Sequence, residues 1–222
     1  MAPLWLSLRV ATLATVAIVV LGVPVAMLLA RGRFFGKGLL AGLLVLPLVM
    51  PPTVLGYYLL QVLGRRAWLG AWLEQTWGVT IVFHWSGAVI ASAVAAFPLF
   101  LLPARGAFEG IDPALEDAAR LLGRREVSVF TSVTLPLAWR GLAAGAVLAF
   151  ARALGDFGAT LMVAGDIPGL TQTASLAIYD AVQVPDAAHA ASALRMTLCV
   201  SLLSIASLVL VQWTLPAPER RR

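Results

Sequence analysis

The composition of this 222-residue chain excludes a soluble globular protein. Apolar residues make up 60% of the chain, charged residues make up 12%, and the mean hydropathy is +0.91; a typical soluble domain is only about 45–50% apolar. The net charge of +5 comes from basic residues in short segments between apolar runs, a pattern that requires no nucleic-acid partner. We therefore predict one all-α integral membrane domain over residues 1–222, surrounded by membrane lipid.

Five segments are long and apolar enough to cross a bilayer. A spanning helix needs about 20 mostly apolar residues, because it must satisfy its backbone polar groups internally. The predicted spans lie near residues 5–30, 39–63, 79–104, 133–165 and 193–215. The fourth is unusual because it carries both a cation and an anion in its interior, Arg152 and Asp156.

The distribution of basic residues predicts the orientation of these spans, since short cytoplasmic loops collect Lys and Arg. Eleven of the 16 basic residues lie in the first loop, the third loop and the C-terminal tail: Arg31, Arg33, Lys37, Arg105, Arg120, Arg124, Arg125, Arg140, Arg220, Arg221 and Arg222. We therefore expect the N-terminus outside and the C-terminus in the cytoplasm.

The second outer loop is rich in tryptophan. Trp68 and Trp72 stand one helical turn apart, and Trp77 follows. Amphipathic rings favour the headgroup level, so this loop predicts a short helix in the outer interface. We expect His84 to be an interfacial polar group; the sequence has no cluster of metal ligands, and we predict no metal and no cofactor.

Prolines predict bent helices in two spans. Pro47, Pro51 and Pro52 lie in the second span, and Pro98 and Pro103 lie near the end of the third. Each proline removes a backbone donor and clashes with the preceding turn, so kinked or broken helices are expected. Broken helices occur at membrane depth where they are buried in protein or line a cavity. Ordinary kinks in a packed bundle and the walls of a pathway both remain open.

A short charged helix is predicted near residues 113–123, between the third and fourth spans. Asp112 is a suitable N-cap, Pro113 suits the first helical position, and Gly123 can end the helix in the left-handed conformation. One face has the i, i+3, i+4, i+7 spacing of an apolar stripe and comprises Leu115, Ala118, Ala119 and Leu122.

The polar side of this helix has Glu116 and Arg120 at the spacing of an ion pair. A helix of this length is marginal alone in water, so its apolar face must pack on something. That surface is either its own bundle or a groove of a cytoplasmic partner.

The same stretch resembles the EAA loop of bacterial ABC importer permeases. The family pattern is Glu-Ala-Ala, three variable residues, Gly and, after a gap, Leu-Pro. The matching positions are Asp117, where the family has Glu, with Glu116 just before it, and Ala118, Ala119, Gly123, Leu135 and Pro136. The resemblance implies that the helix couples the permease to an ATPase subunit.

Two further stretches resemble the molybdate permeases of this importer family: LPLVMPPTVLGYYLL, from Leu46, and AFARALGDFGATLMVAGDIPGLTQTASLAIY, from Ala149. Sulfate permeases are similar in the second stretch. The resemblance implies the ABC importer permease fold in a bacterial inner membrane. It also implies a homodimer with the pathway between its copies, two ATPase subunits, and an extracytoplasmic protein that delivers a tetrahedral oxyanion. The expected cargo is molybdate or tungstate, with sulfate or thiosulfate as the alternative.

ATP hydrolysis is expected on a partner chain, because this sequence has no GxxxxGK[ST] phosphate loop. We predict a translocation subunit without catalytic residues. An intramembrane enzyme would need a catalytic constellation at membrane depth, and a scaffold without transport would not explain a capped helix beside proline-broken spans.

The charged pair of the fourth span has two interpretations. Arg152 and Asp156 stand one helical turn apart and can form an internal brace. Alternatively, Gly155 and Gly158 loosen the helix, and Arg152 lines the pathway, where a cation favours a dianion. The candidate pathway residues are Pro51, Pro52, Arg152, Asp156 and Thr160.

Overall fold

The computed structural model describes residues 2–184 and 187–214, and every regular element within them is helical. The helices are α1 (Ala2–Arg31), α2 (Lys37–Val49), α3 (Pro52–Leu63), α4 (Trp68–Trp77), α5 (Trp85–Glu109), α6 (Pro113–Leu121), α7 (Glu126–Val129), α8 (Leu135–Leu154), α9 (Gly158–Ala164), α10 (Ala174–Gln183) and α11 (Ala187–Thr214). A π-helical turn, Phe130–Thr134, joins α7 to α8. Within the described residues, four helical stretches are apolar and long enough to cross a membrane, and α2 with α3 makes a fifth if the pair is one bent span. The all-α class is confirmed.

The predicted break in the second span is present. Helices α2 and α3 meet at an angle of 118°. Met50 and Pro51 between them are extended, with ψ angles of 141° and 134°, because a residue that precedes proline is disfavoured in the α conformation. Pro47, by contrast, lies inside α2. The consecutive prolines therefore end one helix and begin another.

Of the kink or break predicted for the third span, the break is absent. Helix α5 continues through Pro98 and Pro103 to Glu109. An internal proline costs a helix about 3 kcal/mol or more, but α5 is packed between α1 and α8 along a face of fully buried alanines. The packing of this central helix offsets the missing backbone hydrogen bonds.

The fourth span differs from the single segment predicted near residues 133–165. Its helical stretch begins at Glu126, includes the π-helical turn and ends at Leu154. Residues 155–157 are not helical, and α9 follows as a separate helix. The break occurs between two glycines, Gly155 and Gly158, which are poor helix formers.

The outer and C-terminal elements agree with the sequence in kind. Helix α4 is the predicted short tryptophan helix, and Trp68 and Trp77 are exposed. His84 is the N-cap of α5, where its Nδ1 accepts from the backbone N–H of Ser86. Helix α11 begins six residues before the predicted fifth span. Residue 215 and the basic tail lie outside the described residues.

The main core forms where α1 and α8 pack against α5. Phe100 of α5 is fully buried and lies against glycines on both neighbours. A Cβ at Gly22 of α1 would come within 2.6 Å of the Phe100 ring, and a Cβ at Gly145 of α8 within 2.9 Å of its carbonyl oxygen. Small residues let helix backbones approach closely, so these glycines fix the spacing of the three helices.

Candidate functional site

Helix α6 is capped as the sequence predicts. Asp112 Oδ1 accepts from the backbone N–H of Ala114 at 2.9 Å, and Pro113 occupies the first turn. Gly123 adopts a φ of +78°, and its N–H donates to the carbonyl of Arg120 at 2.9 Å. The helix proper ends at Leu121, two residues earlier than expected, because the left-handed cap takes up the residues that follow.

The predicted apolar face of α6 is not packed on the bundle. Leu122 is 84% exposed and Leu115 is 50% exposed, and Ala118 is exposed between them. Leu121, at 89% exposure, enlarges the same surface. Of the two predicted alternatives, packing against its own chain is therefore wrong for the leucines of α6.

The predicted pairing of Glu116 with Arg120 is also wrong. Glu116 is buried, and its Oε1 accepts from Arg31 Nη2 at 3.2 Å and from Thr134 Oγ1 at 2.8 Å. Arg120 instead donates to Asp117 at 2.7 Å and to Glu126 at 2.7 Å. These two hydrogen-bonded carboxylates, Glu126 first, raise the pKa of the exposed Arg120 guanidinium above its usual value.

The remaining residues of the EAA-like pattern are divided between the surface and the interior. Asp117 is exposed and Ala119 is half-buried. Leu135 begins α8 and packs partly against the main core, whereas Pro136, in the first turn of α8, is exposed. The pattern therefore covers both the exposed helix α6 and the first turn of the membrane-spanning helix α8.

A second site lies where two helix breaks meet. A cavity of about 370 Å³ lies between the start of α3 and the 155–157 break, and we call it the break cavity. It is lined by Pro52, Thr53, Arg152, Gly155, Asp156, Phe157 and Gly158. A Cβ at Gly158 would come within 2.8 Å of Pro52 Cβ, so the two breaks are in direct contact. The structure thus brings together three of the predicted pathway residues.

Arg152 and Asp156 form the ion pair that the sequence allows. Arg152 Nη1 donates to Asp156 Oδ1 at 3.1 Å, and Asp156 is only 2% exposed. Asp156 Oδ2 accepts from the backbone N–H of Thr160 at 3.0 Å and from Thr160 Oγ1 at 2.6 Å. These bonds satisfy the buried carboxylate, which would be costly without partners.

The other two candidate pathway residues do not line the cavity. Thr160 is fully buried behind Asp156, where its Oγ1 lies 3.3 Å from Ser92 Oγ of α5. Pro51 precedes α3 as its N-cap. Ser92 and Thr53 were not predicted, because nothing in the sequence indicates that α5 contacts Thr160 or that α3 contacts the 155–157 break.

Comparison with known proteins places this architecture in a family. The profile described as "Binding-protein-dependent transport system inner membrane component" matches residues 18–219. The Molybdenum transport system permease protein ModB of Haemophilus influenzae is 46% identical over 208 residues, which cover 94% of this chain and 90% of that protein. The protein of the same name in Escherichia coli K12 is 45% identical over 208 residues, with the same coverage of 94% and 90%.

The fold also resembles a solved structure. A chain of the MetNI methionine ABC transporter, described in inward-facing conformations, matches with a TM-score of 0.65 and covers 96% of this chain and 95% of its own length. The identity is 19%, so this similarity concerns the fold alone, and it confirms the predicted ABC importer permease fold. The profile match and the close relatives extend over nearly the whole chain, and the protein therefore belongs to the family of binding-protein-dependent transport system inner membrane components.

Proposed function

We propose that this chain is the translocation subunit of an ABC importer for molybdate or tungstate. The relatives named for molybdenum transport, 46% and 45% identical over 94% of the chain, support this cargo. The whole of residues 1–222 forms the permease domain in this proposal. The chain itself hydrolyses no ATP, and its role is to open and close a route for the oxyanion.

The observation that carries the coupling mechanism is the exposed apolar surface of α6. Leu115 and Leu121 are exposed on α6 and Leu122 is exposed at its C-cap, and both ends of this short helix are fixed by its own caps. An amphipathic helix of this kind binds a partner by placing its apolar residues in a groove. In this proposal α6 inserts into a groove of the ATPase subunit. Asp117 and Ala118 face that partner, and Gly123 ends the helix so that its exposed side is oriented toward it.

The complete transporter in this proposal contains two copies of the permease, two ATPase subunits at the cytoplasmic side and an extracytoplasmic oxyanion-binding protein. The basic segment around Arg31 and Arg33 and the segment that contains α6 then lie in the cytoplasm, with the N-terminus outside and the C-terminus inside. The tryptophan helix α4 lies at the outer interface. The membrane is the bacterial inner membrane.

The break cavity is proposed as part of the translocation pathway. Discontinuous helices occur at membrane depth where they line a route for a solute. Arg152 gives the cavity a cation, and its pairing with Asp156 offsets part of that charge. A partly neutralised cation suits transport, because the site must attract a dianion and still release it.

The docking part of the proposal is tested by co-purification. Leu122→Asp places a charge on the exposed face of α6, so the variant is expected to fold but to lose the ATPase subunit. Leu170→Asp is the matched control, since Leu170 is also an exposed leucine but lies in the segment between α9 and α10. Retention of the ATPase subunit by the Leu122 variant would exclude α6 as the docking element.

The cargo is tested separately with the reconstituted transporter and its binding protein. Calorimetric titration of the binding protein with molybdate, tungstate and sulfate gives its affinity for each ion. Uptake of the same ions into proteoliposomes then shows which ones the permease admits. Tighter binding and faster uptake of sulfate than of molybdate would favour the sulfate importer.

A further inference from the structure

Helix α6 has one buried side chain, and that side chain is charged. Among its nine residues only Glu116 is buried. Its leucines and Asp117 are exposed. A lone buried residue on an amphipathic surface helix would ordinarily be apolar, since a buried carboxylate is costly unless it is paired and hydrogen-bonded. The position of Glu116 therefore requires an explanation beyond packing.

The partners of Glu116 come from two membrane spans. Arg31 is the last residue of α1, and its Nη2 donates both to Glu116 Oε1 and to the carbonyl of Ile111, at 3.2 and 3.3 Å. Thr134 is fully buried at the end of the π-helical turn, directly before α8, and donates to the same Oε1 at 2.8 Å. One carboxylate oxygen thus joins α6 to the ends of α1 and α8.

The other polar contacts of α6 do not make this connection. Asp112 and Asp117 contact residues of the α6 segment itself, and Arg120 reaches Glu126 at the exposed start of α7. Among these side chains Glu116 alone reaches α1. It also contacts Thr134, the buried residue directly before α8, rather than the exposed start of α7. A displacement of α6 therefore acts on both spans through this carboxylate, in addition to the direct packing of α6 on α7 and the π-helical turn.

Helix α8 extends this link to the break cavity. It is continuous from Leu135 to Leu154, about 30 Å at the rise of an α-helix, and it carries Arg152 near its far end. Coupling between distant sites is carried by rigid elements and by hydrogen-bond networks that join them. The chain of contacts runs from the exposed leucines of α6 through Glu116 and Thr134 to the cavity.

We propose that Glu116 is a positioning residue that transmits movement of α6 to α1 and α8, distinct from the surface that binds the partner. The proposal rests on the proposed function, in which α6 docks on an ATPase subunit. It separates two roles within one short helix. The exposed leucines hold the ATPase subunit, and the buried carboxylate converts its movement into movement of the spans.

The test uses the complete transporter in proteoliposomes, with molybdate and the binding protein present. Glu116→Ala removes the link. Glu109→Ala is the matched control, because Glu109 also pairs with an arginine, Arg105, but within a single helix. A second comparison, Thr134→Val against Thr134→Ser, removes or retains the hydroxyl donor and leaves Arg31 and Glu116 in place.

We expect Glu116→Ala to keep its ATPase subunit on co-purification and to keep basal ATP hydrolysis. Uptake and the stimulation of hydrolysis by loaded binding protein should each fall about tenfold. Thr134→Val should show a smaller fall in the same two quantities, Thr134→Ser should restore them, and Glu109→Ala should resemble the unmodified protein.

Two results would overturn the proposal. Normal uptake and stimulation in Glu116→Ala would show that movement reaches the spans by another route. Loss of the ATPase subunit from Glu116→Ala would show that the carboxylate only holds α6 in its docking position. If Glu116→Ala fails to fold, the two Thr134 variants decide, and equal coupling in both contradicts the proposal. Failure of docking itself is detected independently by Leu122→Asp.

Discussion

Two regions of the molecule hold a buried carboxylate between an arginine and a threonine: Glu116 on the inner side of α6 and Asp156 in the break after α8. The partners of Glu116 lie 85 and 18 residues away in the sequence. Those of Asp156 both lie four residues away. A carboxylate, an arginine and a threonine therefore have different structural roles in the two places. The Glu116 cluster joins separate elements, and the Asp156 cluster braces a single helix break beside a cavity.

The largest effect is expected from breaking the local cluster. Asp156→Ala leaves the N–H and hydroxyl of Thr160 without their acceptor and Arg152 without its counter-charge. The unsatisfied backbone N–H and the partly buried, unpaired Arg152 together cost about 3 kcal/mol of unfolding free energy. Thermal or denaturant unfolding of the purified protein in detergent measures this loss. Asp156→Asn, which keeps an acceptor oxygen, should lose less, and equal stability of all three proteins would contradict the brace.

Exchanging Arg152 and Asp156 separates the contribution of their charges from that of the hydrogen bonds with Thr160. The exchange of Arg152→Asp with Asp156→Arg restores opposite charges, but an arginine at position 156 cannot accept the two hydrogen bonds from Thr160. The exchanged protein should therefore stay close to Asp156→Ala in stability. Full recovery would mean that charge alone holds the break, and that the hydrogen bonds from Thr160 contribute nothing.

The next effect concerns the contact between the two helix breaks. Gly158→Ala would bring a Cβ within 2.8 Å of Pro52 Cβ, whereas a Cβ at Gly155 would meet only the carbonyl of Ala151 at 3.7 Å. Overpacking of this kind costs about 1–3 kcal/mol. Gly158→Ala should therefore lower stability and molybdate uptake, while Gly155→Ala retains both. Equal behaviour of the two alanine variants would show that the breaks do not need this close approach.

A smaller effect is expected at the cap of α6. Gly123 has a φ of +78° and open space around its Cβ position, so a substitution there meets backbone strain without a steric clash. Gly123→Val should cost about 1–2 kcal/mol in this conformation and reduce substrate-stimulated ATP hydrolysis. Gly123→Asn should retain it, because asparagine tolerates the left-handed region. Unchanged hydrolysis in Gly123→Val would argue that the cap does not orient α6.

The two carboxylate clusters also show how much could be predicted from the sequence. Arg152 and Asp156 are close in the sequence, so helical spacing sufficed to predict their pairing. The caps of α6 were equally local, and both were found. The helix break between Met50 and Pro51 followed from the residues themselves, since proline restricts its own backbone and that of its predecessor.

The errors came from contacts between distant segments. Spacing assigned Glu116 to Arg120, but Arg31 and Thr134 are brought to Glu116 by the packing of α1 and α8, which no local pattern encodes. Pro98 and Pro103 were expected to kink or break the third span, and tertiary packing keeps α5 continuous through both. The break cavity was only partly foreseen, because its walls come from segments about 100 residues apart. Residue types close together in the sequence predicted the helices and their ends. The packing of distant helices determined which side chains contact each other.

A third cluster contains two carboxyl groups, Asp166 and Asp180, and can be compared with the two clusters above. Asp166 follows α9 and faces Asp180 of α10, and Gln172 Nε2 donates to Asp180 Oδ2 at 2.9 Å. Among the hydrogen bonds of the described residues, none joins this cluster to an arginine. Burial first, and then Asp180, raise the pKa of Asp166 above its usual value, so protonation of this group is easier in the folded state than in the unfolded state.

The smallest effect is therefore a pH dependence at Asp166. Because the folded pKa is raised, the stabilising contribution of this group is complete below the ordinary carboxyl pKa and is lost as the pH rises through the folded value. Asp166→Asn cannot ionise, so its stability relative to the unmodified protein should increase as the pH rises from acidic to neutral. Asp180→Asn should reduce this dependence only in part, since burial of Asp166 is the larger cause. Unfolding in detergent over a pH series measures both, and a stability difference that stays constant with pH would show that Asp166 titrates normally and that its contact with Asp180 carries no electrostatic cost.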